Sequence, residues 1–189
     1  MAKTYPDIGT FSPGDILTAA TMNQVGTNLD NQRVPPMVQV SLASFSLASS
    51  GTAYYAAFDS TDINAGSDVT VTNGTSGTTA ANAGKLTVTT AGVYLVTYNV
   101  EFASNASGVR RAVVGVDGTI SPNTPNGYGF IQTAAGNGGS TVITGTVAVS
   151  LSASSYLQVG MAQTSGGALT VNSLTGTGFL QMLWIGQAS

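Results

Sequence analysis

The sequence has no cysteine, no histidine and few charged residues. Five Lys or Arg and eight Asp or Glu make up only 7% of its 189 residues, against about 25% in typical domains. Without cysteine there are no disulfides or thiolate metal sites, and without histidine there are no imidazole ligands or bases. Because the net charge is −3 and neither sign forms a block, the sequence does not predict binding of nucleic acid.

Long apolar runs and a secretory leader are also absent from the sequence. The apolar segment 178–186 is far shorter than the roughly 20 residues that cross a bilayer. A signal peptide has a basic region, then an apolar region, then small residues at its cleavage site. The first residues of this sequence do not show that succession. We therefore expect a protein that is made in the cytoplasm and does not insert into a membrane.

The sequence is rich in apolar residues that alternate with a period of two. In the segment 92–102 every second residue from Tyr94 to Phe102 is aromatic or β-branched, and Thr97, Asn99 and Glu101 lie between them. This pattern predicts a strand with one apolar face. Similar patterns from Met37 onward predict roughly eight to ten short strands in an antiparallel β-sandwich. The predicted strands are 38–47 with a bulge near its middle, 54–58, 69–72, 92–102 with Leu86 and Val88 leading into it, 109–116, 127–132, 140–151, 156–163 and 177–185.

Turn residues add three expectations to this pattern. The alternation changes phase at Ala43 and Ser44, which predicts a bulge. The segment between Phe58 and Gly84 is rich in Gly, Thr, Asn and Asp and is predicted to be mostly loop. The dipeptide Asp117-Gly118 favours a two-residue hairpin turn.

Residues 1–36 follow a different pattern from the β-domain, 37–189. Thr18 is a plausible N-cap for a short helix from Ala19 to about Asp30. This segment bears more apolar surface than it can bury alone. We therefore predict an extended anchoring arm with one short helix, whose contact residues are Tyr5, Phe11, Leu17, Met22, Val25 and Leu29.

The sequence does not predict an enzyme. Only Glu101 and seven Asp could serve as general bases, and none lies in a recognisable motif. The best enzymatic alternative is a glycosidase that uses Glu101 and Asp117 as paired carboxylates. We favour the simpler interpretation, in which Glu101 is a solvent-side strand residue and Asp117 belongs to a turn.

The sequence predicts no cofactor. The alternative is a protein that binds a calcium ion. Oxygen ligands suited to calcium follow one another closely in the predicted loop. The same residue types also shape ordinary loops, and we favour that interpretation. The candidate ligands are Asp59, Asp62, Asn64 and Asp68.

Arg110 and Arg111 are neighbours on a predicted strand and must point to opposite faces. We expect both to reach water. In the alternative, one of them pairs with a carboxylate such as Glu101.

The β-domain resembles the C1q/TNF-like jelly roll. The resemblance rests on Gly92-Val93-Tyr94, on the Asp117-Gly118 turn, on Leu151 followed by Tyr156, Leu157 and Val159, and on the terminal Thr177-Gly178-Phe179-Leu180. It implies an all-β antiparallel jelly-roll sandwich that associates as a homotrimer. The family commonly has Asn-Gly at 117–118, Gly-Asp at 154–155 and an aromatic residue at 176, where this chain has Asp-Gly, Ser-Ser and Gly. The final strand is apolar on both faces, so we predict that Met182 and Trp184 lie in the trimer interface.

The segment 11–23, Phe-Ser-Pro-Gly-Asp-Ile-Leu-Thr-Ala-Ala-Thr-Met-Asn, resembles a signature that opens small structural proteins of tailed bacteriophages. It implies a virion surface protein that residues 1–36 attach to capsid or tail proteins. We favour a tail-side fibre or host-adhesion role. The alternatives are a capsid decoration or head-fibre protein and a non-viral C1q-like adhesive module.

The region 123–140 has the Ser, Thr, Asn, Gly and Tyr mixture of an adaptable binding surface. A host glycan or protein would contact it through Tyr128 and Phe130. The alternative is a spacer loop.

Overall fold

The computed structural model describes residues 18–20, 22–23, 25, 35–65, 68–77, 82–118, 120, 127–172 and 178–187. In the arm, the described residues after Thr18 are helical, and the Met22 amide donates to the Thr18 carbonyl at 3.0 Å. The predicted start of the short helix is therefore confirmed.

The described part of the chain also contains thirteen strands: β1 (Met37–Leu42), β2 (Phe45–Leu47), β3 (Ser50–Tyr55), β4 (Phe58–Ala65), β5 (Val69–Thr72), β6 (Lys85–Val88), β7 (Gly92–Phe102), β8 (Val109–Val116), β9 (Tyr128–Ala134), β10 (Thr141–Leu151), β11 (Tyr156–Gln163), β12 (Leu169–Asn172) and β13 (Phe179–Gly186).

The strands form two antiparallel sheets, as the sequence predicts for a sandwich. Sheet A has the order β2-β12-β7-β13-β1-β4, and β10 also pairs with β7. Sheet B has the order β5-β6-β11-β8-β9, and β3 also pairs with β11. The predicted strand 92–102 is β7, and it lies at the centre of sheet A between β10 and β13.

The hydrophobic core lies between the two sheets. Every second side chain of β7 from Tyr94 to Phe102 is fully buried in it, as the alternation predicted. From sheet B, Val159 and Met161 of β11 join the same cluster. Burial of each large apolar side chain contributes roughly 1.5 to 3 kcal/mol before entropy is subtracted.

Tyr98 links the two sheets through its hydroxyl group. This side chain starts on β7 of sheet A and donates to the Ala112 carbonyl of β8 at 3.3 Å and to the Gly129 carbonyl of β9. Burial raises the pKa of Tyr98 to about 12. The hydroxyl is thus a buried polar group whose cost of burial is offset by backbone acceptors.

Several strand predictions were wrong in detail. The predicted strand 54–58 is divided, because β3 ends at Tyr55 and β4 begins at Phe58. β4 itself lies in the predicted loop, because an edge strand can carry exposed polar residues that give no periodic signal. β12 was not predicted at all; it is only four residues long and pairs with β2 and the end of β7.

The Asp117-Gly118 turn forms, but it does not close a two-residue hairpin. Both residues have positive φ, 52° and 76°, as a primed turn requires. The amide of Asp117 donates to the Tyr156 carbonyl of β11 at 3.0 Å. The pairing of β8 with β9 begins only at Val114 and Tyr128, so the connection between them is longer than predicted.

The sandwich has two distinguishable ends. At the proximal end the arm joins β1, and the Trp184 amide donates to the Pro36 carbonyl at 2.9 Å. At the distal end β7 finishes at Phe102, opposite Thr141 and Val171. Because a strand rises about 3.3 Å per residue, the eleven residues of β7 separate the two ends by about 30 Å.

Candidate functional site

The outer face of sheet A, which is turned away from sheet B, carries exposed apolar side chains. Leu95 of β7 and Leu183 of β13 lie directly opposite each other on this face. Leu95 is 37% exposed, and Val142 of β10 and Ile185 of β13 are 51% and 52% exposed. Exposed large apolar side chains on one face of a sheet are typical of a surface that another molecule covers.

The middle of the same face is polar but uncharged. Thr97 of β7 and Thr146 of β10 lie opposite each other, with 3.1 Å between their hydroxyl oxygens. One step along, the Thr144 hydroxyl donates to Asn99 Oδ1 at 3.2 Å. These groups are already hydrogen-bonded within the sheet, so covering them carries a smaller desolvation cost than covering charges.

The two predicted interface residues do not lie on this outer face. Met182 is opposite Val96 and is fully buried in the core of its own chain. Trp184 is opposite Tyr94 and packs against the same core. The prediction was therefore wrong for Met182, which offers no surface to a neighbour. The alternate residues Phe179, Gln181 and Leu183 of β13 are the ones turned outward.

The structure places most of the candidate calcium ligands on a strand. Asp59, Asp62 and Asn64 lie along β4 of sheet A, whereas Asp68 is buried just before β5 of sheet B. The Asp68 carboxylate accepts from the Thr90 hydroxyl at 3.0 Å. The described ranges contain no group of three or more acidic residues placed to hold a metal ion. Calcium binding stays a prediction from the sequence.

Asp62 is bound by neighbouring side chains. The hydroxyls of Ser41 and Ser60 each donate to its carboxylate at 2.8 Å, and Gln39 Nε2 is 3.4 Å away. Burial acts to raise the pKa of Asp62, but these hydrogen bonds outweigh it and hold the pKa below its usual value of 3.8. Asp62 is the extra, unpaired residue of a bulge where β4 pairs with β1 at the edge of sheet A.

The structure does not bring the two candidate catalytic carboxylates together. Glu101 lies near the distal end of β7, where Asn172 Nδ2 donates to it at 3.2 Å. Asp117 lies at the proximal end of β8, where it accepts from the Tyr156 amide at 2.9 Å and the Ser155 hydroxyl at 3.1 Å. Paired carboxylates of a glycosidase lie within about 10 Å of each other, so these two form no such pair. Glu101 lies on the outer face of sheet A, which is the predicted side, but only 9% of it is exposed.

Arg110 was predicted to reach water and is instead fully buried. Its guanidinium donates to the carbonyls of Asn105, Ser107 and Val109 at 3.1, 2.9 and 3.2 Å. Burial lowers the pKa of Arg110. The alternative pairing with Glu101 is also wrong, because the hydrogen-bond partners are backbone carbonyls. No sequence pattern indicates this arrangement, since the three acceptors are main-chain atoms.

Arg111 points to the opposite side of the sheet, as predicted. Its Nε donates to Gln132 Oε1 on β9 at 2.6 Å.

Phe130 of β9 is two residues from Gln132 and is partly buried. Tyr128 begins the same strand and is exposed. The two candidate receptor residues are therefore on a strand rather than in a loop, and residues 121–126 beside them lie outside the described part of the chain.

Two of the six predicted anchoring residues are described. Met22 is 54% exposed, and Val25 on the following turn is half-buried. Tyr5, Phe11, Leu17 and Leu29 lie outside the described residues. Among the described residues, no helix has the length and apolar character needed to cross a bilayer.

The fold is similar to that of solved TNF-family structures. Murine APRIL matches with a TM-score of 0.57 and 10% identity, over 79% of this chain and 98% of that chain. Eiger TNF from S. frugiperda matches with a TM-score of 0.52 and 13% identity, over 82% of this chain and 96% of that chain. No protein-family model and no curated protein matches the sequence.

The chain therefore has a TNF-like jelly-roll fold, and the fold implied by the resemblance to C1q/TNF-like proteins is confirmed. At such low identity the likeness concerns the fold alone.

Proposed function

We propose that the chain is a non-enzymatic display module that associates as a homotrimer and is attached by its arm to the surface of a tailed-bacteriophage virion. The observation that carries the proposal is the outer face of sheet A, with exposed Leu95, Val142 and Ile185 around a neutral centre. A second copy of the chain would bury these side chains, each contributing roughly 1.5 to 3 kcal/mol if buried fully.

A closed ring of three copies around one axis suits this face better than an open filament of copies does. A closed ring uses the same pair of surfaces in every subunit and leaves no apolar face uncovered. The centre of the face carries no charge that would have to be desolvated in such a ring, because Thr97, Thr146 and Gln181 are neutral. The homotrimer that the jelly-roll resemblance implies is therefore compatible with the chemistry of the surface.

The arm is the proposed attachment device. Met22 exposes more than half of its apolar side chain on a helical turn, which favours a contact outside the arm itself. Pro35 and Pro36 act as a stiff spacer between the arm and β1. With the phage-like signature at 11–23, this supports attachment to a capsid or tail protein. We favour the tail side, where the module would serve in host adhesion.

A non-enzymatic role is supported by the separation of Glu101 and Asp117 at opposite ends of the sandwich. Glu101 and Asp117 were the pair of carboxylates that the sequence offered for catalysis.

The proposal is tested with a variant that lacks residues 1–35. We expect this variant to fold and self-associate like the full chain but to be missing from purified particles, because its attachment surface has been removed. Met22→Asp in the full chain is a finer test, since it places a charge on the exposed apolar face. Thr70→Asp, at an exposed position of β5, is the matched control and should be incorporated normally.

Labelled antibody against the jelly roll, viewed on particles by electron microscopy, separates the possible locations. Label on the tail supports the fibre role, and label on the head supports the decoration or head-fibre role. Normal incorporation of the truncated variant would contradict the anchoring role, and absence of the full chain from every particle would favour the non-viral adhesive module.

A further inference from the structure

Three loops lie together at the distal end of the sandwich, and we call them the distal loops: 103–108, 135–140 and 164–168. They connect β7 to β8, β9 to β10, and β11 to β12. The arm joins β1 at the proximal end, so these loops lie about 30 Å from that junction along β7. On a particle that holds the arm, they would be the part of the chain that faces outward.

Hydrogen bonds join the distal loops to one another. The Ser104 hydroxyl donates to the Gly138 carbonyl at 2.7 Å, which links the first loop to the second. The Ala135 amide donates to the Gly108 carbonyl at 3.0 Å and strengthens the same link. The Thr164 amide donates to the Val109 carbonyl at 3.1 Å and connects the third loop to the start of β8.

Two buried polar side chains support the loops from below. Arg110 of β8 and Gln163 of β11 lie directly opposite each other, and both are fully buried. Arg110 donates to carbonyls of the first loop, as described above, and its Nε has no partner in the described part of the chain. Gln163 donates to the Gly167 carbonyl at 2.7 Å and accepts from the Ser165 amide at 2.6 Å.

Loops fixed in this way lose little conformational freedom when a ligand binds, which removes part of the entropic cost of binding. They are also open to a ligand. Added Cβ atoms would meet nothing within 4 Å at four glycines of these loops, Gly138, Gly139, Gly166 and Gly167. A ligand can therefore approach the backbone amides and carbonyls closely.

The composition of the distal loops limits the kinds of ligand that they can bind. They contain only Gly, Ala, Ser, Thr and Asn, with no charged and no aromatic residue. Protein partners are usually bound through Trp, Tyr and Arg anchors, and anionic partners through Lys and Arg. Exposed hydroxyl, amide and backbone groups suit a ligand that offers neutral hydrogen-bonding groups along its length.

We infer that the distal loops bind an uncharged carbohydrate chain. The inference rests on the proposed function, because it names the partner that a module attached by its arm would meet at its outward end. It moves the predicted contact from Tyr128 and Phe130 to the distal loops.

The test uses the full chain on an array of immobilised oligosaccharides, both uncharged and acidic. We expect binding to uncharged members that changes little between low salt and about 0.5 M salt, since no ion pair contributes. Ala106→Arg and Asn137→Arg each place a bulky side chain on an exposed distal-loop position and should weaken binding at least about tenfold. Ala153→Arg, at an exposed proximal turn, is the matched control and should bind like the parent chain.

The outcomes divide clearly. Loss of binding in the two distal variants, with the parent melting temperature and normal binding by Ala153→Arg, supports the inference. No binding to uncharged members, a preference for acidic members, or loss in Tyr128→Ala alone overturns it. Because the array uses free protein, failure here is separate from failure of particle attachment, which the truncated variant tests.

Discussion

Gly145 of β10 lies directly opposite Tyr98 of β7, and a Cβ atom at position 145 would come within 2.5 Å of the tyrosine ring. The ring therefore occupies the space that a side chain on β10 would take. From there its hydroxyl reaches the Ala112 and Gly129 carbonyls of sheet B. The glycine and the tyrosine are two parts of one contact that joins the sheets.

We predict that Gly145→Ala lowers the free energy of unfolding by about 1 to 3 kcal/mol, because the added methyl group overlaps the Tyr98 ring. Urea-induced unfolding measures the change. Gly139→Ala is the matched control, since its new methyl group meets nothing within 4 Å and should change stability by less than about 1 kcal/mol. Equal effects of the two substitutions would contradict the proposed contact.

Tyr98 should make the protein sensitive to alkaline pH. Its pKa is about 12 in the fold against an ordinary 10.0, so the fold favours the neutral phenol. The associated stability is fully present below pH 10 and is lost as the pH rises towards 12. The loss amounts to about 3 kcal/mol. Tyr98→Phe, which cannot ionise, should show a smaller decrease in unfolding free energy over this range, and an unchanged pH profile would contradict the assignment.

The amino-acid sequence was sufficient to predict the class of fold. Alternation in β7 predicted which of its faces is buried. β4 was missed because its exposed Asp and Ser residues have the composition of a loop. Strand identity there comes from pairing with β1, which no local pattern records.

The interaction surfaces were harder to predict than the fold. Both faces of β13 are apolar in sequence, so the pattern did not tell which face meets the core, and Met182 was placed outside instead of inside. Arg110 was misplaced for a different reason. Its acceptors are backbone carbonyls of a loop, and residue identity does not reveal where carbonyls point.

Two residues with positive φ should respond oppositely to glycine. Ser154 has a φ of 72°, which costs a residue with a Cβ roughly 1 kcal/mol, so Ser154→Gly should be neutral or stabilising. Asp117 has a φ of 52°, but its carboxylate accepts two hydrogen bonds. Asp117→Gly should therefore lower the melting temperature. Thermal unfolding followed by circular dichroism compares them, and stabilisation by both would show that the carboxylate bonds contribute nothing.

The separation of Asp59 and Asp62 on β4 from Asp68 before β5 leads us to expect no calcium-dependent stability. The melting temperature should be the same with millimolar calcium and with chelator, since the described residues contain no carboxylate cluster for calcium to bind. An increase with calcium would revive the predicted site. Asp62→Asn would then identify its contribution.

The central claim is that the outer face of sheet A joins copies of this chain, and the molar mass in solution tests it most directly. Light scattering at micromolar concentration should give three times the 18.9 kDa of one chain. Leu95→Glu, which places a charge on that face, should lower the mass to that of the monomer. Thr70→Glu on β5 of sheet B should leave it unchanged. A parent chain that is monomeric at this concentration would contradict the account.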